Sequence, residues 1–408
     1  QNKRPQSTSA QAARVNLRPF WIDTETFWYR SDVKTGYRYI LFNTSDTRIK
    51  EAFDHNPLAK ALSSPGEETI DEENLPVSSI LINDDGNLLL VISGKEYLFM
   101  PSDNKLKELK GKDIPVNSRL SPDGSKAAFI KDFNLWVRDL DTGKDTRLTI
   151  DGSEDYGYAT NNAGWTKRDS PVLLWSPDSK RIATFRHDGR YVGEMYLTTT
   201  NVGHPELEAW KYPLPGDSLA FRIERVVIDV ENASMVKLKM DPDQHRSTTT
   251  DHIAGRGGAF LDVEWSKSGD VLSFVSTSRD HKQEIFRLAD PNTGEVKDIF
   301  EETEDTFYES GYNSTNWRLL SDSDEAIWYS QRDNWGHLYL YDLKTGELKN
   351  QITSGDWKVL SLLKVEEDER KVYFTACGKE AGDPYFQYLY SINLDGSNLT
   401  LHTPDSAN

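Results

Sequence analysis

Apolar and polar residues alternate along this chain in short runs, and the runs are bounded by Ser, Pro, Asp, Asn and Gly. Residues 127–130, 134–139, 225–230, 235–240 and 372–377 show the pattern most plainly. Four to eight residues of period two between turn-forming residues predict β-strands, because successive side chains on a strand point to opposite faces. No segment sustains the 3.6-residue period of an amphipathic helix, and only residues 57–63 predict a short helical turn.

The strands recur in a fixed order. A Ser-Pro-Asp-Gly-like turn precedes a short apolar strand, and a second strand rich in aromatics follows. A turn of the Asp-Thr-Gly kind then leads into a last short strand. Ser121-Pro122-Asp123-Gly124 opens the clearest copy, with Asp141-Thr142-Gly143 as its second turn. Further copies open at Asn83-Asp84-Asp85-Gly86, Ser176-Pro177-Asp178-Ser179, Ser266-Lys267-Ser268-Gly269 and Ser321-Asp322-Ser323-Asp324, with weaker ones near Asp23 and Glu366. Pro presets φ, Asp bonds its own backbone, and Gly or Asn accepts the left-handed conformation, so each motif specifies a turn.

A repeat of roughly 40 to 50 residues with four short strands is the signature of a β-propeller. The fold class expected is therefore all-β, a propeller of four-stranded antiparallel blades. A β-sandwich is the alternative, and it leaves the recurring anchor unexplained. The gap between Ser176 and Ser266 is nearly two repeats long and holds the strand-like runs 225–230 and 235–240. A degenerate blade there brings the expected count to eight, with seven as the alternative. Trp136, Trp175, Trp265, Trp328 and Tyr373 lie in or beside strands and are expected to pack between blades.

Composition narrows the function. The 408 residues carry a formal charge of −18, which repels phosphate backbones and argues against nucleic-acid binding. No apolar run reaches the roughly 18 residues of a membrane span. Cys377 stands alone, so neither an intrachain disulfide nor a cysteine zinc site can form, and a buried small hydrophobe is expected there. His245 and His252, with Asp241, Asp243 and Asp251, match no metal-ligand spacing and predict a solvated loop. Gly255-Arg256-Gly257-Gly258 lacks the strand-to-helix setting of a phosphate loop. No metal and no cofactor is expected.

Longer motifs point to a family. Leu174-Trp175-Ser176-Pro177-Asp178-Ser179-Lys180-Arg181-Ile182-Ala183 is followed by His187-Asp188-Gly189-Arg190, Glu194-Met195-Tyr196 and Tyr212-Pro213-Leu214-Pro215-Gly216. Later come Gln331-Arg332-Asp333-Asn334-Trp335-Gly336-His337-Leu338-Tyr339-Leu340-Tyr341-Asp342 and Ile352-Thr353-Ser354-Gly355-Asp356-Trp357. In content and order these resemble the N-terminal propeller of the prolyl oligopeptidase family, in its dipeptidyl peptidase IV-like branch.

The resemblance implies a substrate-gating and substrate-recognition propeller of a serine peptidase acting on short peptides. It also implies partnership with the protein's own C-terminal α/β-hydrolase domain, with homodimerisation of the longer protein as an option. No Gly-x-Ser-x-Gly elbow occurs in this chain, so catalysis by the chain alone is not expected. The implied organisation is an extended or disordered segment over residues 1–13, one propeller over 14–403 and the start of a linker at 404–408. A chain opening on Gln1 fits either a trimmed chain or a processed export product, and a periplasmic or secreted location in a bacterial envelope follows from the family. A stand-alone envelope interaction propeller of the TolB type is the main alternative, and a propeller glycosidase or lyase a third.

Dipeptidyl peptidases of this family hold the substrate's ammonium with paired glutamates. The corresponding loop here reads Thr166-Lys167-Arg168-Asp169-Ser170-Pro171 and has none, and no arginine near Ser93-Gly94 matches the family's second-blade contact. Glu154-Asp155 is the substitute the sequence offers. The substrate-binding candidates are Arg168, Asp169, Arg186, Asp188, Arg190 and Glu194; for Arg186, Asp188, Arg190 and Glu194 a salt-bridged turn is the competing reading. His337 is expected to be a packed, hydrogen-bonded histidine. No catalytic residue is assigned.

Overall fold

Ser121 shows why the repeated turn forms. Its hydroxyl donates to Asp123 Oδ1 at 2.6 Å and accepts the Lys126 N–H at 3.0 Å, while Gly124 takes φ +66°. Ser176 with Asp178, and Ser266 with Asp270, repeat the arrangement at 2.6 Å in later units. The Ser121 hydroxyl also holds the Asp123 carboxyl at about 2.

The computed structural model describes residues 19–21, 25–33, 36–45, 47–63, 70–82, 88–92, 95–100, 105–108, 113–160, 170–200, 202–244, 253–254, 258–308 and 316–403. Backbone contacts divide the chain into two compact units, residues 1–112 with Asn408, and residues 113–407.

The first unit holds two antiparallel sheets. Blade 1 is β1 (Phe20–Trp21), β2 (Thr26–Asp32), β3 (Tyr37–Asn43) and β4 (Ile49–Glu51). Helix α1 (His55–Leu62) follows, capped by Asp54, whose carboxylate accepts the Asn56 N–H at 3.0 Å. Blade 2 is β5 (Val77–Ile82), β6 (Leu88–Ile92), β7 (Lys95–Met100) and β8 (Lys105–Glu108). Leu58 of α1 joins Trp28, Tyr39, Leu88 and Phe99 in one buried cluster.

The second unit, in its described residues, holds five blades and a separate two-stranded sheet. Blade 3 is β9 (Arg119–Leu120), β10 (Lys126–Lys131), β11 (Asn134–Asp139) and β12 (Asp145–Arg147). Blade 4 begins with β13 (Leu174–Trp175) and β14 (Arg181–Asp188). A separate ribbon, β15 (Glu194–Thr198) and β16 (Leu207–Lys211), comes next. The blade then resumes with β17 (Arg222–Asp229), β18 (Ser234–Lys237) and β19 (Asp243–Gln244). Blade 5 is β20 (Val263–Trp265), β21 (Leu272–Thr277), β22 (Gln283–Ala289) and β23 (Val296–Thr303). Blade 6 is β24 (Arg318–Leu320), β25 (Glu325–Ser330), β26 (His337–Asp342) and β27 (Leu348–Gln351). Blade 7 is β28 (Lys358–Glu366), β29 (Lys371–Cys377), β30 (Gln387–Asn393) and β31 (Thr400–Leu401).

The architecture is an all-β propeller of seven blades, not eight. The runs 225–230 and 235–240 belong to the blade that Ser176 opens, because β17 pairs with β14 from Arg181↔Asp229 to Asp188↔Arg222. The extra length is the ribbon β15–β16, inserted between the second and third strands of that blade.

Blades 4, 5 and 6 are apolar on both sides. Along β25, Ile327 and Tyr329 pack toward blade 7, and Ala326 and Trp328 toward blade 5. Period-two alternation with both faces buried requires neighbours on both sides, and this is why a single blade cannot stand alone. The innermost strands are also laced across blades. The Trp175 indole donates to Arg119 O at 3.2 Å, and the Trp265 indole to Leu174 O at 3.3 Å. Trp136 lies half-buried between Lys131 and Arg147 of its own blade, and Tyr373 beside His402 of its own blade. Cys377 is half-buried, and burial raises its thiol pKa.

Antiparallel order sends the first and third turns of a blade to one end and the second turn to the other. The first turns of blades 3 to 6 touch in sequence: Asp123 N–H donates to Ser179 Oγ at 3.1 Å, Arg181 to Gly269 O at 3.1 Å, and Lys267 Nζ to Asp322 at 2.5 Å. They therefore share one end of the second unit.

Candidate functional site

The end opposite these Ser-Pro-Asp turns carries the chemistry singled out by sequence. Residues 155–160 run back along the end of β14. The Gly189 N–H donates to Asp155 O at 2.8 Å, the His187 N–H to Gly157 O at 2.8 Å, and the Ala159 N–H to Phe185 O at 2.9 Å. This pairing lays the Tyr156 ring under two guanidinium groups, with Arg186 at 4.3 Å and Arg190 at 3.6 Å from its centroid.

Both arginines are paired. Arg186 Nε donates to Glu224 Oε2 at 2.8 Å and its Nη1 to Asp151 Oδ2 at 2.9 Å. Arg190 grips Asp188 through two bonds, at 3.0 and 2.8 Å. Burial works against the charge on Arg186, but Glu224 outweighs it and raises the pKa. The hydrogen bonds to Asp188 raise that of Arg190. Burial would raise the carboxyls of Asp188 and Glu224, yet their cationic partners hold both below the usual range. Tyr158 donates to Asp151 Oδ1 at 2.8 Å, and burial raises its phenol pKa.

The structure thus brings Arg186, Asp188 and Arg190 together as mutually neutralised groups, with Arg190 on the exposed side. Glu194 stands apart on the ribbon, where its carboxylate accepts the Tyr196 hydroxyl at 2.8 Å. Arg168 and Asp169 lie outside the described residues, as do His245, Asp251, His252 and Gly255 to Gly257. Of the acidic pair offered as a substitute, Asp155 faces Lys211 Nζ at 3.4 Å, while Glu154 is exposed. Among the described residues, no group of three or more His, Cys, Asp or Glu side chains could hold a metal ion.

Tyr156, Asp151 and Glu224 were not foreseen. Glu224 is 38 positions from Arg186, a separation that sequence pattern cannot bridge. The alternation Tyr156-x-Tyr158 was the available signal of a strand-like segment with one aromatic side. His337 conforms to expectation: it is fully buried, with Nδ1 3.0 Å from Thr353 Oγ1 and Nε2 2.9 Å from Gly355 O.

Exposed aromatics are distributed unevenly. Among the described residues of the second unit, Phe133, Tyr191, Tyr196, Phe307, Trp335, Tyr385 and Phe386 are the strongly exposed ones. All lie on second turns, on the ribbon or on the loops that link blades. The end made by the first and third turns carries none of these aromatics.

The chain is similar to a "Probable dipeptidyl-aminopeptidase B" of Aspergillus clavatus, 23% identical over 314 residues, covering 70% of this chain and 32% of that protein. It is likewise similar to a "Probable dipeptidyl peptidase 4" of Aspergillus flavus, 23% identical over 291 residues, covering 69% and 36%. The chain therefore spans about a third of the length of these curated relatives. Among solved structures, the dipeptidyl peptidase 4 of Porphyromonas gingivalis superposes with a TM-score of 0.61 at 18% identity, covering 94% of this chain and 52% of that one, a likeness of fold. The family model described as the dipeptidyl peptidase IV N-terminal region matches residues 89–408, well over half of the chain, and the protein belongs to that family.

Proposed function

We propose that this propeller gates and recognises short peptides for a serine peptidase of the dipeptidyl peptidase IV type within the prolyl oligopeptidase family. The family membership over residues 89–408 carries the reading. The end bearing the Tyr156 cluster and the exposed aromatics is the one that faces peptide and hydrolase. Exposed aromatic side chains supply contact area at low entropic cost, and the polar turns of the other end supply none. Arg190, the more exposed member of the Tyr156 cluster, is the described side chain best placed to meet a peptide, and Arg168 and Asp169 are assigned to the same role from sequence. A periplasmic or secreted location fits such an enzyme.

The ribbon β15–β16 is the part we assign to pairing of two copies. It exposes Tyr196, Leu197 and Leu207, and a two-stranded ribbon is marginal by itself.

The test is active-site labelling with a fluorophosphonate. A longer protein in which this propeller is joined to an α/β-hydrolase should be labelled and should cut short unstructured peptides while sparing folded proteins. This 408-residue chain should stay unlabelled. Labelling of this chain, or equal cleavage of folded proteins by the longer one, would overturn the proposal.

A further inference from the structure

Asp132 and Phe133 make the two-residue second turn of blade 3, because Lys131 pairs with Asn134 across it. Asp132 has φ +49° and Phe133 φ +61°. A left-handed backbone at both central residues belongs to the type I′ hairpin turn, whose twist matches the strands it joins. Asn and Gly suit such positions. A bulky side chain is strained there, because its Cβ crowds the backbone.

Core packing does not account for the ring. The backbone of residue 133 makes the structural contact, its carbonyl oxygen accepting the Tyr158 N–H at 2.9 Å. Any residue, glycine best, supplies that oxygen without strain. The Phe133 side chain is 37% exposed and belongs to none of the buried apolar clusters, whereas Leu135 and Val137 beyond it do. Full burial of a phenylalanine offsets backbone strain, and a half-exposed ring does so only in part. Strain that packing does not offset points to function.

The ring stands beside the Tyr156 segment. The Tyr158 bond ties the turn to residues 155–160, whose other edge pairs with the end of β14 and puts Tyr156 under Arg186 and Arg190. A Cβ on Gly157 would crowd Phe133 Cβ at 3.2 Å, so glycine there makes room for the phenylalanine. Asp155 and Ala159 of the same segment are also left-handed, at φ +58° and +56°. Strained residues thus lie on both sides of one hydrogen bond, at the end of the second unit that bears the exposed aromatics.

We propose that Phe133 is a specificity-determining contact, a platform for an apolar side chain of the bound peptide. The inference rests on the peptide-recognition reading of this end. A ring carried on a rigid two-residue turn offers apolar area at low entropic cost. The strained backbone is what holds it out of the core.

Peptide titrations of the 408-residue chain, followed by saturation-transfer NMR, test it, with tetra-alanine and its single-leucine derivatives as probes. The wild type should bind one leucine derivative more tightly than tetra-alanine. Phe133→Gly should weaken that peptide about tenfold, the loss expected for an apolar side chain left uncovered, and leave tetra-alanine unchanged. The same variant should hold or raise the thermal midpoint, since relief of the turn offsets the small buried area lost. Phe133→Asn also accepts a left-handed backbone and serves if the first variant fails to fold. Phe133→Tyr keeps the ring and should keep the preference. Peptide binding without a leucine preference in the wild type, a preference unchanged in the folded variants, an equal loss for tetra-alanine, or a lowered midpoint would overturn this assignment alone. Absence of saturable binding of every peptide to the wild type would overturn the peptide-recognition reading, and this inference with it.

Discussion

Glu264 of β20 accepts the backbone N–H of Leu319 of β24 at 2.8 Å, and the two residues, 55 positions apart, hold the same place in consecutive blades, each two before the serine that opens the turn. One side chain thus joins two repeat units through the backbone of the second. Glu264→Ala leaves that N–H without its partner and should lower unfolding stability by about 1–3 kcal/mol. Burial also raises the Glu264 carboxyl pKa. The folded state then holds its proton more tightly than the unfolded one. Stability from this group is full below the unfolded pKa and falls as pH rises through the folded one. Glu264→Gln keeps an acceptor without a charge. It should flatten this pH dependence, as measured by urea midpoints from pH 4 to 8.

Trp328 is fully buried, and its indole donates to Glu302 Oε2 at 2.7 Å, with Ser330 and Arg332 on the same carboxylate. Trp328→Ala should cost about 3–5 kcal/mol by emptying the joint between blades 5 and 6. Trp328→Phe keeps most of the volume and should cost about 1–3 kcal/mol, for the lost hydrogen bond. Equal losses in the two variants, measured by chemical denaturation, would mean that packing contributes nothing there.

His187 is buried at the end of β14 beside Phe221, and burial lowers its pKa from 6.5 to about 4. The unfolded chain therefore binds a proton that the folded chain refuses. Stability is complete above about pH 6.5 and declines as pH falls toward 4, by on the order of 3 kcal/mol at 1.36 kcal/mol per unit. His187→Gln should be less stable at pH 7 yet lose less on acidification. An equal slope in mutant and wild type would assign the acid sensitivity to other groups.

The turns made most of this fold legible. The anchors at Ser121, Ser176, Ser266, Ser321 and Glu366 fall on the first turn of a blade, because Ser, Asp and Gly act locally and need no distant partner. The blade count failed at one place, where a ribbon inserted between β14 and β17 has strand-like composition but does not join the blade's sheet. Alternation reports that a segment is extended, and it cannot say which strand lies beside it. The site was legible to the same depth. Arg186, Asp188 and Arg190 are neighbours in sequence, whereas the Tyr156 ring between the guanidinium groups and the Glu224 partner arrive through loop and sheet pairing.

Gly336 explains part of the Trp335-Gly336-His337 motif. A Cβ at this position would collide with the Tyr329 hydroxyl, across the second turn of blade 6. Gly336→Ala should therefore cost about 1–3 kcal/mol through overpacking. Tyr329→Phe should recover part of that loss by removing the obstructing oxygen. Unfolding midpoints of the two single variants and the double variant measure the coupling, and strict additivity would exclude the collision.

Arg186 and Arg190 share one aromatic ring but differ in surroundings, so their substitution should separate structure from recognition. Arg186 is 17% exposed and links Asp151 to Glu224, and its loss leaves Lys237 as the cation on the Glu224 carboxylate. Arg186→Ala should cost about 1–3 kcal/mol by this route. Arg190 is 42% exposed and paired within its own turn, and Arg190→Ala should change stability by less than about 1 kcal/mol. If Arg190 meets the peptide, the second variant should nonetheless bind short peptides more weakly while melting like the wild type. A peptide affinity unchanged in folded Arg190→Ala would confine the Tyr156 cluster to a structural role.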